Sequence, residues 1–189
     1  MDDPTAAIDP TAPEPPTSDD QRAVARVVGD RLRNLDATVA VVESCTGGLI
    51  GARLTAPPGA SDYFVTGTVP YAYDTKRRDL GVARETLDDA GVVSAPVARD
   101  LARRVRDRAD TTWGLATTGV AGPDGGTETT PVGTVFVGVA HAAPWESGDS
   151  YATVSRYTFD GDRGAIRART TVAALRSLAA ELDAIEGRG

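Results

Sequence analysis

Residues 38–54 read Thr-Val-Ala-Val-Val-Glu-Ser-Cys-Thr-Gly-Gly-Leu-Ile-Gly-Ala-Arg-Leu, and this stretch decides the fold. Thr38 to Val42 is a short, β-branched apolar run without alternation, the pattern of a strand buried on both faces. It ends in Glu43-Ser44-Cys45-Thr46-Gly47-Gly48, and Leu49 to Leu54 then resumes a helical pattern that Pro57-Pro58-Gly59 stops. Upstream, Ser18 followed by Gln21 fits a capping box, and Val24, Val27, Val28, Arg31 and Leu32 recur at helical spacing. Downstream, Tyr63 to Tyr73 reads as a second strand and Thr75 to Leu80 as a helical turn or short helix. Ser94 is an N-cap with Pro96 in the first turn of a helix running to about Ala109. Thr112 to Thr118, Gly133 to Ala140 and Tyr151 to Phe159 read as three further strands, and Asp162 to Ile185 as the last helix. Alternating helices and apolar strands predict an α/β fold, a three-layer α/β/α sandwich. The connection from 139 to 151 is short enough for a hairpin, so the sheet is expected to be mixed.

Composition narrows the chemistry. The chain has 189 residues and is 41% apolar, which suits one domain with its own core, since a domain takes roughly 100–200 residues. Nothing approaches the ~20 consecutive apolar residues that span a bilayer, so no membrane partner and a cytoplasmic location are expected. One cysteine and one histidine exclude a disulfide framework and zinc sites of three or four His/Cys ligands. A Ser-His-Asp triad would have to use His141, which sits in a loop-like stretch before Ala142-Ala143-Pro144. The chemistry therefore falls to hydroxyls, carboxylates, arginines, backbone amides or Lys76, the single lysine beside 19 arginines. The net charge of −7 is concentrated at the start, where residues 1–20 hold six acids and no base. Residues 1–17 read as an acidic, Pro-rich disordered tail and 18–186 as the domain. No clustered basic face suggests nucleic acid.

Four places carry candidate chemistry. The turn from Ser44 through Thr46, Gly47 and Gly48 brings hydroxyls and free amides to a helix start, where a phosphate or an oxyanion is favoured. An ordinary capped turn has the same pattern, and the spacing is not that of a P-loop. Tyr71 and Lys76 follow an apolar strand. A lysine that serves as a base near pH 7–8 needs its pKa lowered by roughly 2.5–3.5 pH units, or about 3.5–5 kcal/mol. A solvated surface lysine is the plain alternative. Thr118 and Gly119 open a glycine-rich loop that runs to Pro131-Val132-Gly133-Thr134, either a ligand-facing loop or a simple connection. Arg163 and Arg167, four residues apart, share one helical face and would clamp a phosphate or make surface ion pairs. Cys45 beside a helix start is a possible nucleophile, although no histidine lies near it in sequence.

Taken together, these segments resemble the CinA C-terminal domain family, also called the nicotinamide-nucleotide amidohydrolase family. The resemblance is carried by Glu-Ser-Cys-Thr-Gly-Gly at 43–48, Val69 and Tyr71 with Lys76, Leu-Gly-Val at 80–82 and Gly-Val-Val-Ser at 91–94. It continues through Thr-Gly-Val-Ala-Gly-Pro-Asp-Gly-Gly at 118–126, Pro-Val-Gly-Thr-Val at 131–135 and Gly161-Asp162-Arg163 with Ile166-Arg167. These occur in family order and cover roughly Asp19 to Leu182.

The resemblance implies hydrolysis of the carboxamide of nicotinamide mononucleotide to nicotinic acid mononucleotide and ammonia. It implies Ser44 as nucleophile, Lys76 as its base and Tyr71 in a hydrogen-bonded relay. Thr118 and one or both of Arg163 and Arg167 are implied at further positions around the substrate, and the amides of Thr46, Gly47 and Gly48, with Gly119 of the glycine-rich loop, are expected to complete the substrate site. No metal and no cofactor are expected, a small nucleotide is the expected partner, and a homo-oligomer is compatible with the family. Without a usable histidine, a Ser-Lys pair is the available form of triad logic. The alternative is a non-catalytic nucleotide-binding or competence-associated module; a related amide or nucleotide substrate is a third reading. Two stretches depart from the family: Pro70-Tyr71-Ala72-Tyr73 stands where Thr-Tyr-Ser-Asn is usual, and Thr130 where lysine is common. Larger family members carry an N-terminal molybdopterin-binding-like domain; the 20-residue tail here is too short for one, which suggests the stand-alone form.

Overall fold

Val39–Glu43 forms β1, and all five of its residues are buried because it runs through the centre of a sheet covered on both faces. The computed structural model describes Thr5 and residues 7–187. Among these, five strands make one sheet in the order β2-β1-β3-β4-β5, with β2 Phe64–Thr68, β3 Trp113–Gly119, β4 Thr134–His141 and β5 Tyr151–Thr158. β1 pairs parallel with β2 and β3, whereas β3–β4 and β4–β5 are antiparallel. The mixed three-layer α/β/α architecture expected from the sequence is the one observed.

Alternation along the strands sorts the core into two layers. Val39 and Val41 of β1, Leu115 of β3 and Val135, Val137 and Val139 of β4 face one side. There they pack against α1 (Ser18–Asn34), α2 (Leu49–Leu54) and α6 (Arg163–Glu186). Ala40, Val42, Ala116 and Ala140 face the other side, against α3 (Tyr73–Leu80), α4 (Arg84–Ala90) and α5 (Ala95–Ala109). The small side chains on this second face let α5 approach closely. A Cβ on Gly114 would lie 2.0 Å from the Ala102 carbonyl oxygen, and one on Gly138 would lie 2.4 Å from that of Ala98. The chain passes from β1 to β2 over one face through α2 and returns to β3 over the other through α5. β1 is thus where the connections diverge, and its C-terminal end is where such sheets bind ligands.

Several boundaries move from their expected places. The N-cap of α1 is Thr17 rather than Ser18, with Asp20 completing the capping box. Tyr63 precedes β2, its hydroxyl donating to the Leu54 carbonyl at 2.6 Å. The strand expected to reach Tyr73 stops at Thr68, since Pro70 has no N–H for a ladder, and α3 already begins at Tyr73. α4 was not anticipated: it buries a single side chain, Leu87, and has no side-chain N-cap. His141 closes β4 instead of lying in a loop.

The expected disordered tail is also corrected. Met1 to Pro4 and Ala6 lie outside the described residues, but Thr5 and residues 7–17 run along α6. Arg169 donates from Nη1 to the Pro10 carbonyl at 2.9 Å and to that of Ala12 at 2.5 Å, and from Nη2 to that of Pro13 at 2.9 Å. Arg176 donates to the carbonyls of Thr5 and Ile8 at 3.1 and 2.7 Å, and Ile8 packs on the core. Backbone carbonyls recognised by arginines anchor this arm, which compositional reasoning about side chains does not register.

Candidate active site

The Ser44 turn begins where β1 ends. Ser44 extends the ladder by donating its N–H to the Thr117 carbonyl at 3.1 Å, so the serine is fixed to the central strands. Lys76 comes from α3, 32 residues later, and its side chain is only 2% exposed. Its Nζ lies 3.2 Å from Ser44 Oγ, 2.7 Å from the Pro70 carbonyl and 3.1 Å from that of Tyr71. Burial holds the Lys76 pKa below its usual 10.5. A neutral amine has two N–H groups and one lone pair. The two carbonyls can accept both N–H groups, leaving the lone pair for the Ser44 hydroxyl proton. The solvated-lysine alternative is therefore excluded.

Tyr71 meets Lys76 through its backbone, not its phenol. The ring is 54% exposed and its hydroxyl accepts from Arg163 Nη2 at 2.8 Å, while Arg163 Nη1 donates to the Gly122 carbonyl at 2.7 Å. Arg163 thereby ties the start of α6, the segment between β2 and α3 and the glycine-rich loop around the same mouth. Arg167 is differently employed: Nε and Nη2 both donate to the Thr46 carbonyl, at 3.1 and 2.7 Å. In this arrangement it braces the serine turn from the α6 side rather than presenting a free guanidinium.

The remaining expected residues are largely framework. Thr46 is fully buried, with Oγ 2.9 Å from Thr117 Oγ. Thr118 donates to the Val92 carbonyl at 2.7 Å, which secures the loop before α5. A Cβ on Gly119 would sit 2.8 Å from the Thr134 carbonyl oxygen, so this glycine serves strand packing. Gly47 and Gly48 both have positive φ, +61° and +91°, which the tight turn into α2 requires. Two of the amides expected to hold an anion are otherwise occupied. Gly47 N donates to the Ser44 carbonyl, and Gly48 N to the Glu43 carboxylate at 3.0 Å. The same carboxylate accepts from Ile50 at 3.1 Å and Gly51 at 2.8 Å. In the sequence Glu43 stands out only as part of the 43–48 motif. Its signal was present, because an acid closing an otherwise apolar buried strand must find donors.

The alternative nucleophile and base fall away on geometry. Cys45 is buried and its thiol is pushed up to about 12 by desolvation, which leaves no thiolate at neutral pH. His141 pairs with Trp113 across the antiparallel ladder, at the end of β3 opposite Ser44, and its ring lies 4.5 Å from that of Trp113 and 5.4 Å from that of Tyr151. Tyr73, at the position where the family usually has asparagine, gives its hydroxyl to Asp88 of α4 at 2.5 Å. Thr130 lies in the loop before β4, its N–H donating to Thr127 Oγ at 3.0 Å. A hollow of about 470 Å³ beside Trp113 and His141 and one of about 580 Å³ between α1 and Pro58 include none of the residues gathered around Ser44 and Lys76. Among the described residues no three His, Cys, Asp or Glu side chains group as metal ligands would, and no helix is long and apolar enough to cross a membrane.

A protein-family model, the CinA C-terminal domain, matches residues 21–182. A CinA-like protein of Gloeothece citriformis is 42% identical over 163 residues, 86% of this chain and 38% of that protein. The chain spans less than two-fifths of the length of such curated relatives. Among solved structures, the competence/damage inducible protein CihA from Agrobacterium tumefaciens superposes with a TM-score of 0.81 at 33% identity. That alignment covers 91% of this chain and 99% of the other. The competence damage-inducible protein A from Klebsiella pneumoniae gives 0.80 at 28% identity, with coverages of 86% and 97%.

Proposed function

The chain belongs to the CinA C-terminal domain family, and from that premise we propose that it is an amidohydrolase that deamidates nicotinamide mononucleotide through a seryl acyl-enzyme. The observation that carries this reading is the 3.2 Å contact between Ser44 Oγ and the Nζ of buried Lys76. Nucleophile and base within hydrogen-bond reach, with the base oriented by further partners, is the arrangement covalent catalysis needs. Here the orienting groups are the carbonyls of Pro70 and Tyr71.

In the proposed reaction, neutral Lys76 takes the Ser44 proton as Oγ bonds to the carboxamide carbon. The resulting lysine ammonium gives that proton to the departing nitrogen, so ammonia leaves and an ester remains on Ser44. Water then attacks the ester with Lys76 again accepting a proton, Lys76 returns that proton to Ser44 Oγ as the ester bond breaks, and the acid product leaves and ionises to the carboxylate. Tyr71 and Arg163 line the mouth, and their exposed hydrogen-bonded pair is the polar contact available to an incoming nucleotide. Arg167 supports the turn from behind.

Ammonia release from nicotinamide mononucleotide tests the proposal. Ser44→Ala and Lys76→Met should each lower the rate by about 10²–10⁴-fold, the range for removing a positioned nucleophile or base. A wild-type rate no higher than that of either variant overturns it. One observation favours a second reading, a binding module without turnover: Tyr73 replaces the usual asparagine and is committed to Asp88. That reading requires saturable nucleotide binding by the wild type with no ammonia released.

A further inference from the structure

We propose that Glu43 is a positioning residue whose carboxylate holds the Ser44 hydroxyl in line with Lys76; this rests on the reading of Ser44 as nucleophile. Glu43 is the last residue of β1 and is 2% exposed. A carboxylate is seldom buried unless its oxygens are satisfied. Here Oε2 accepts from Gly48 and Ile50, and Oε1 from Gly51. Helix α2 has a glycine at its N-cap, so the cap residue offers no side chain to receive these N–H groups. The acid reaches them from the preceding strand instead. It thus closes a loop whose two ends are its own backbone and Gly48, with Ser44 the first residue inside.

The other side of that loop is held by different groups. Arg167 takes the Thr46 carbonyl, and Thr46 Oγ pairs with Thr117. With the ladder bond from Ser44 N to Thr117, only the α2 side remains to be fixed, and Glu43 supplies that restraint. Three N–H groups converging on one carboxylate make a stiff brace. Glutamine keeps the length but replaces one oxygen with an amide group that faces an N–H. Glu43→Gln therefore loosens the turn while keeping the volume.

Two readouts test this: steady-state ammonia release, and the rate at which a fluorophosphonate labels Ser44, followed by mass spectrometry. In labelling, Oγ bonds to phosphorus as fluoride leaves and the proton passes to Lys76. Both are measured below the melting temperature of each variant. Glu43→Gln should lower kcat and the labelling rate at least tenfold with KM within threefold, and Glu43→Asp, one methylene too short, should do the same. Unchanged labelling in a variant whose only defect is a lower melting temperature overturns the proposal, as does a kcat loss matched by an equal rise in KM. A wild type that is labelled on Ser44 but releases no ammonia removes the substrate reading alone. A wild type that is not labelled overturns the positioning role itself.

Discussion

Lys76 makes a quantitative link between burial, stability and rate. Its pKa is lowered by desolvation, so the folded protein gives up the proton at a pH where the unfolded chain, near 10.5, still holds it. Between those two values the unfolded state binds more protons, and stability rises with pH. Below the folded value both states are protonated and the full burial cost is present, about 1.4 kcal/mol for each pH unit by which the pKa is lowered. Lys76→Met removes the titration and also leaves the Pro70 and Tyr71 carbonyls without this donor, a cost of about 1–3 kcal/mol per unsatisfied group. That second cost does not depend on pH. The stability of Lys76→Met relative to wild type should therefore be most favourable at neutral pH and become less so as pH rises towards 10.5, by urea denaturation at fixed ionic strength. The same ionisation should appear in the wild-type rate: kcat/KM for ammonia release should climb tenfold per pH unit and level off below pH 10.5, because only the neutral amine accepts the Ser44 proton. A stability difference independent of pH between 7 and 10, together with a rate still climbing at 10.5, would refute the burial argument.

Three other outcomes follow from particular contacts. Gly114→Ala should destabilise the fold by about 3 kcal/mol, the upper end for overpacking, because its Cβ would lie 2.0 Å from the Ala102 carbonyl oxygen and must push α5 off β3; chemical denaturation measures it. Arg169→Ala should release the N-terminal arm, losing charge-assisted bonds worth about 1.5–3 kcal/mol each, and limited proteolysis should then cut within residues 7–17 faster than in wild type. Cys45, its thiol pushed up to about 12, should resist iodoacetamide at pH 8 in the native protein and react fully in urea, as intact mass would record.

The site was partly legible before the fold was known. The run Val39 to Val42 announces a central strand because only a strand covered on both faces is apolar throughout, and Ser94-Ala95-Pro96 announces the start of α5 by its capping chemistry. The boundaries that moved have local causes of another kind. β2 ends early at the approach to Pro70, and α4 carries too little apolar surface to be noticed. The arm along α6 escaped because arginines recognise its backbone carbonyls, which every sequence possesses.

By itself, the sequence determined the order of the five strands and of every α-helix except α4, the family motifs, and that any lysine chemistry must belong to Lys76. The tertiary structure decided which groups meet. Ser44 and Lys76 are 32 residues apart, and only the placement of α3 beside the end of β1 brings Oγ and Nζ to 3.2 Å. It also decided which expected ligand groups are already occupied: Thr46 by Thr117, Thr118 by Val92, Arg167 by the Thr46 carbonyl and the α2 amides by Glu43. The physical reason is that hydrogen bonds are made between neighbours in space. A residue's type states what it can donate or accept, and packing alone determines which partner claims it.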